Sequence, residues 1–151
     1  MNVASSYLWD YLRKATAYGF FIPLSGGADS SVTALMIYHL CTNIMSDVKM
    51  GNLEVLVTLR SIFKDKNFIP KNAKQIMNKI MHTSYMSTPY STPESKKRSN
   101  DLAEQMGSNH LATELDILLE KFIEFITKEL GLEPKFKSQG GSWGEDSALQ
   151  N

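Results

Sequence analysis

The sequence predicts an α/β fold, an open and mainly parallel sheet with helices on both faces, on the strength of three observations. A compact apolar run, Phe20-Phe21-Ile22-Pro23-Leu24, has the length of a buried strand and opens directly into a glycine turn and a mostly apolar helix. Two further strand-like segments, Ile80 to Met86 and His110 to Asp116, each lead on to a helical segment. Strands that alternate with helices pair in parallel through crossover connections.

The elements follow in order. Residues 6–17 place Tyr7, Leu8, Tyr11 and Leu12 at helical spacing behind serines able to cap an N-terminus. After the first strand come the loop Ser25-Gly26-Gly27-Ala28-Asp29-Ser30-Ser31 and a helix carrying Val32, Leu35, Met36, Tyr38, His39 and Leu40. Residues 53–63 fit two periods: Val55, Val57 and Leu59 alternate as in a strand, whereas Leu53, Leu56, Val57, Ile62 and Phe63 suit a helix, which is the reading we favour. Lysines, Asn67 and Pro70 make 64–72 a loop, and Ile76, Met77 and Ile80 return to helical spacing before the second strand. A polar turn from Ser87 to Pro93 precedes a helix from about Glu94 to Met106, which Gly107 terminates. The third strand leads to an amphipathic helix bearing Leu118, Leu119, Phe122, Ile126 and Leu130, closed by Gly131. Residues 131–144 read as a flexible loop, and Glu145 to Asn151 begin a helix that the chain leaves unfinished.

Composition narrows the function classes. A chain of 151 residues with 42% apolar and 21% charged residues belongs with soluble globular proteins of one domain. Sixteen basic residues balance sixteen acidic ones, so no net field draws in nucleic acid or an anionic membrane. Cys41 has no partner for an internal disulfide and points to a reducing, cytoplasmic setting. The start, Met1 to Tyr7, lacks the basic n-region and apolar h-region of a signal peptide and no apolar run reaches membrane-spanning length, so a soluble, intracellular protein is expected. His39, His82 and His110 lack metal-ligand spacing, Met36, Met77 and Met106 are expected to face a core, and Lys96-Lys97-Arg98 reads as a solvated helix face.

The segment Ser25-Gly26-Gly27-Ala28-Asp29-Ser30 carries chemistry because of where it sits. Adjacent glycines let consecutive N–H groups point into one concavity, and the N-terminus of the following helix adds partial positive charge, so the loop suits phosphate. Ser25 and Ser30 add hydroxyl donors, while Asp29 caps the helix or meets a Mg2+ ion carried by the phosphates. The absence of a Gly-Lys-Ser/Thr ending excludes the P-loop NTPase pattern. The alternative is a plain strand-to-helix turn.

The Ser-Gly-Gly-x-Asp-Ser string after a strand resembles the signature of the ATP-pyrophosphatases, or PP-loop enzymes. Further segments are similar to eukaryotic-type glutamine-dependent NAD+ synthetases in the same order: Leu8-Trp9-Asp10-Tyr11-Leu12-Arg13, Pro23 to Ser30, His82-Thr83-Ser84-Tyr85-Met86, Ser91-Thr92-Pro93-Glu94-Ser95, Leu102 to Ser108 and Ala148-Leu149-Gln150-Asn151. Ala28 stands where valine is usual and Asp146 where asparagine is usual. The resemblance implies a Rossmann-like fold of the adenine nucleotide alpha hydrolase type, with residues 1–151 forming a partial synthetase domain truncated at its C-terminus and lacking the glutaminase domain. It implies amidation of nicotinic acid adenine dinucleotide (deamido-NAD+) to NAD+ with ATP and Mg2+, ammonia coming from the glutaminase domain of a full-length homo-oligomer.

On the same resemblance, Pro23, Leu24, Ser25, Gly26, Gly27, Ala28, Asp29, Ser30, Thr83, Tyr85 and Met86 are the expected ATP-binding positions. Ser25 is the expected catalytic residue, Asp29 the Mg2+ contact and Glu145 a substrate contact. The chain alone is expected to bind Mg-ATP without making NAD+. Competing readings are another PP-loop ligase, making GMP, asparagine or thiolated tRNA, and a nucleotide-binding module without turnover.

Overall fold

The structure is a computed structural model that describes residues 3–87 and 91–150. Residues Met1–Met86 with Ser91–Thr113 form one compact unit, and Ser87–Tyr90 with Glu114–Asn151 form a second. Along the chain run α1 (Val3–Lys14), β1 (Phe20–Pro23), α2 (Ala28–Lys49), α3 (Leu53–Phe63), α4 (Ala73–Ile80), β2 (Met81–Ser87), α5 (Pro93–Met106), β3 (Asn109–Glu114), α6 (Asp116–Leu130) and α7 (Trp143–Gln150). A 3-10 turn, Lys137–Gln139, precedes α7.

The sheet has the order β1-β2-β3, and β1 runs parallel to β2 with Phe20 opposite Met81 and Pro23 opposite Ser84. The Leu24 N–H extends this ladder by donating to the Ser84 carbonyl at 2.7 Å. Proline has no N–H for a ladder, and Pro23 is tolerated because β1 is an outer strand among the described residues. The α/β expectation therefore holds, with α2, α3 and α4 forming the crossover from β1 to β2.

Helix α2 organises the first unit. Ala34, Ile37, Leu40, Cys41, Ile44 and Met45 form its buried stripe, against which Leu12, Leu59, Ile76, Met77 and Ile80 also pack in one core. Cys41 is fully buried, its Sγ 3.8 Å from Met77 Sδ, and burial pushes its thiol up to about 12, so it is an inert small hydrophobe. Met77 and Met106 face the core as expected, but Met36 is 45% exposed, together with Val32 and Leu35. The reason is rotational: successive helical residues lie about 100° apart, so the stripe through Ile37 and Leu40 leaves Met36 beside it. A similar shift occurs in α1, which buries Trp9 and Leu12 and leaves Tyr7 and Tyr11 exposed.

Local capping settles the ambiguous segment 53–63 as a helix. The Asn52 side chain accepts from the Val55 N–H at 3.3 Å, Val55 and Leu59 are buried four residues apart, and Val57, which a strand would have placed beside them, is exposed. Asn72 caps α4 and Thr92 caps α5, where Pro93 occupies the first turn and needs no N–H partner. Gly107 and Gly131 end α5 and α6 in the left-handed region, as expected.

In the second unit α6 ends at Gly131 as anticipated, but it already begins at Asp116, which the sequence assigned to the third strand, and none of its residues is buried. Leu118, Phe122 and Leu130 are exposed while Leu119 and Ile126 are partly buried, so its apolar stripe is only partly covered among the described residues. Phe136, by contrast, is buried beside the 3-10 turn.

Candidate functional site

The loop between β1 and α2 is shaped by Gly26, whose φ of +75° lies in the left-handed region that L side chains avoid. Gly27 returns to extended backbone and forms the N-cap of α2 without any side-chain cap. This corrects the expectation that Asp29 caps the helix: the helix starts at Ala28 and its N-cap is Gly27, which places Asp29 inside the first turn, two residues past the capping position. The first intrahelical bond runs from the Ser31 N–H to the Gly27 carbonyl at 3.2 Å. The N–H groups of Ala28, Asp29 and Ser30 precede it and point out of the helix end, where the macrodipole favours an anion.

Hydroxyl groups line the same turn. Ser25 Oγ accepts from the Gly27 N–H at 3.2 Å and lies 3.1 Å from Ser30 Oγ. Ser31 donates to the Gly27 carbonyl at 2.6 Å. Ser25, Gly27, Ala28 and Asp29 are all exposed, so the loop offers donors and one carboxylate to solvent rather than to the core. The arrangement fits a phosphate chain, and a lone exposed carboxylate fits a Mg2+ ion that arrives bound to phosphates. No group of three His, Cys, Asp or Glu side chains able to hold a resident metal occurs among the described residues.

Helix α5 buttresses the loop from the far end of the sequence. Ser99, fully buried, donates its hydroxyl to the Leu24 carbonyl at 2.7 Å, and Arg98 Nε donates to the Gly26 carbonyl at 3.1 Å. A Cβ on Gly26 would stand 2.5 Å from the Ser95 carbonyl oxygen. The sequence reading missed Ser95, Arg98 and Ser99 as loop contacts and took Arg98 for part of a solvated face. Their spacing of three and four along a helix was visible, but nothing local names the loop as their target. Lys97 does behave as that reading expects, pairing with Asp101 on the exposed side.

Of the other anticipated ATP contacts, Pro23 and Leu24 lead into the loop, Leu24 fully buried and Pro23 exposed. Thr83 and Tyr85 on β2 are buried and hydrogen-bonded internally, while Met86 is 41% exposed. The Tyr85 hydroxyl lies 2.6 Å from Ser95 Oγ, so Tyr85 supports the same α5 turn that abuts Gly26. Thr83 Oγ1 is 2.7 Å from His110 Nδ1, and His110 Nε2 donates to Asn100 Oδ1 at 3.0 Å. An amide oxygen only accepts, so Nε2 carries the imidazole proton and Thr83 donates to Nδ1. Burial lowers the His110 pKa, which favours the neutral ring.

Glu145 belongs to the second unit. Its carboxylate accepts from the Ser142 N–H at 2.7 Å while the Glu145 N–H donates to Ser142 Oγ at 3.3 Å, a reciprocal capping box at the start of α7. The Ser142 hydrogen bonds hold the Glu145 carboxyl below its ordinary range. Ser142-x-x-Glu145 is a helix-start pattern that the sequence itself carries. Asp146 accepts from the Lys137 N–H at 2.9 Å, tying the 3-10 turn to α7.

Comparison with known proteins matches residues 1–137 to the model of the NAD synthase family. The chain belongs to the NAD synthase family. It is 37% identical over 145 residues to the glutamine-dependent NAD(+) synthetase of Bos taurus, covering 96% of this chain and 20% of that protein. Against the enzyme of the same name from Saccharomyces cerevisiae it is 35% identical over 146 residues, again with 20% of the relative covered. The crystal structure of a glutamine-dependent NAD(+) synthetase from Cytophaga hutchinsonii superposes with a TM-score of 0.74 at 28% identity, over 97% of this chain and 25% of that one. The chain thus spans about one fifth of the length of the curated NAD(+) synthetases it matches.

Proposed function

We propose that this chain carries the ATP-binding part of a glutamine-dependent NAD+ synthetase, converting nicotinic acid adenine dinucleotide to NAD+ through an adenylated intermediate. The observation that supports it is the exposed N-terminus of α2, with three outward N–H groups behind a left-handed Gly26 at the carboxyl end of a parallel strand. In the reaction the substrate carboxylate oxygen attacks the α-phosphorus of ATP and pyrophosphate leaves. Ammonia then adds to the acyl carbon and AMP departs. The loop binds and orients the leaving pyrophosphate, and its N–H dipoles offset the charge that accumulates there. Ser25, with its hydroxyl set between Gly27 and Ser30, is the residue assigned to that event, and Asp29 would hold a Mg2+ ion brought in by the phosphates, which would supply charge neutralisation there. Thr83, Tyr85 and Met86 border the adenosine in this scheme, and Glu145 contacts the dinucleotide. Ammonia is supplied by a glutaminase domain, and the full-length enzyme is a homo-oligomer working in the cytoplasm. No helix among the described residues is long and apolar enough to cross a membrane.

The Asp29→Asn variant tests the reading by calorimetric titration. Asp29 makes no cap, so the fold loses only its interaction with the α2 dipole, roughly 0.3–1 kcal/mol. Affinity for Mg-ATP should fall about tenfold, equivalent to about 1.4 kcal/mol. Affinity for ATP in EDTA should hold or rise, because the carboxylate repels uncompensated phosphate. Equal Mg-ATP affinity in both proteins, or no binding by the unsubstituted chain, contradicts the proposal.

A further inference from the structure

Ser95, Arg98 and Ser99 sit three and four residues apart on α5, hence on one helix face, and all three meet the backbone on either side of Ser25. Ser99 holds the Leu24 carbonyl and Arg98 holds the Gly26 carbonyl. A peptide unit is planar, so fixing its C=O fixes the N–H on its other side. The Leu24 carbonyl therefore sets the Ser25 N–H, and the Gly26 carbonyl sets the Gly27 N–H. The Gly27 N–H in turn donates to Ser25 Oγ at 3.2 Å, and Ser25 Oγ meets Ser30 Oγ at 3.1 Å. Two adjacent glycines carry the widest backbone freedom, so a fixed loop conformation here depends on such support.

We propose that Arg98 is a positioning residue of this loop: by gripping the Gly26 carbonyl it orients the Gly26-Gly27 peptide, and through it the Ser25 hydroxyl and the opening of the anion site. Arg98 differs in kind from its neighbour Lys97, whose ammonium is committed to Asp101 on the same helix. Its guanidinium is exposed, so its removal opens no cavity in the core. The consequence for nucleotide affinity rests on the ATP reading above, whereas the consequence for loop order does not.

Three variants of the chain, Arg98→Ala, Arg98→Lys and Lys97→Ala, separate these consequences. The readouts are amide hydrogen exchange at Gly27, Mg-ATP affinity by calorimetry, and thermal unfolding. Arg98→Ala should exchange about tenfold faster at that amide, which donates to Ser25 Oγ, and bind Mg-ATP about tenfold more weakly, with its melting temperature within about 2 °C of the parent. Arg98→Lys keeps a charged donor able to reach the carbonyl and should recover most of both effects, and Lys97→Ala should change neither. Faster loop exchange in Arg98→Ala, in a parent that binds no Mg-ATP, supports the positioning role and sinks the ATP reading. Unchanged loop exchange in Arg98→Ala overturns the proposal, even where Mg-ATP binding weakens, since that pattern belongs to a direct phosphate contact.

Discussion

Gly26→Ala should unfold the loop's surroundings, lowering stability by about 3 kcal/mol or more and the melting temperature by roughly 10 °C. Two effects add. An L residue held at φ +75° carries a left-handed penalty of about 1–2 kcal/mol, and the new Cβ meets the Ser95 carbonyl oxygen at 2.5 Å, a backbone atom in a helix that cannot rotate away. The variant therefore reports on α5 packing before it reports on any ligand. Gly27→Ala is the informative partner, since Gly27 is already extended and the nearest atom to its Cβ is Ser25 Oγ at 3.3 Å. Scanning calorimetry decides: a Gly26→Ala melt within about 2 °C of the parent would mean that α5 does not abut the loop as the structure shows.

Leu40→Ala should cost about 3 kcal/mol, within the roughly 2–5 kcal/mol expected when a fully buried leucine leaves a cavity. Leu40 is fully buried on α2, in the stripe shared with Ile37 and Ile44, so the loss touches the contacts of α2 with its neighbours at once. Met36→Ala, four residues earlier on the same helix, should change stability by no more than about 0.5 kcal/mol because its side chain is half-exposed. Comparable losses from both substitutions in urea unfolding would show that Met36 is covered in solution and would restore the face assignment drawn from the sequence.

That contrast marks where sequence reasoning stops. Element types and most ends were legible because their causes are local: Gly107 and Gly131 in the left-handed region, the alternation of apolar runs with helical segments, the glycine loop behind a strand. The caps of Asn52 and Asn72 and the box of Ser142 with Glu145 are equally local, and the Asn52 cap marks residues 53–63 as a helix. Which face of α2 is buried was not legible, since hydrophobic residues surround most of that helix and its partners, α1, α3 and α4 with β1 and α5, choose among them. The apolar stripe of α6 shows the reverse failure: periodicity announces a buried face, and among the described residues it is at most partly buried. At the site, the loop itself could be read from its glycines, whereas its support comes from Arg98 and Ser99, more than seventy residues away, through contacts to backbone carbonyls that leave no pattern in the sequence.

Amide chemical shifts during a Mg-ATP titration test the central claim most directly, because the proposed ligands are backbone N–H groups. The account predicts saturable shifts, largest at Gly27, Ala28, Asp29 and Ser30 and extending to Arg98 through the Gly26 carbonyl, with little change across α3 and α7. Saturable binding that leaves the four loop amides unmoved, or no saturable response at all, would contradict it.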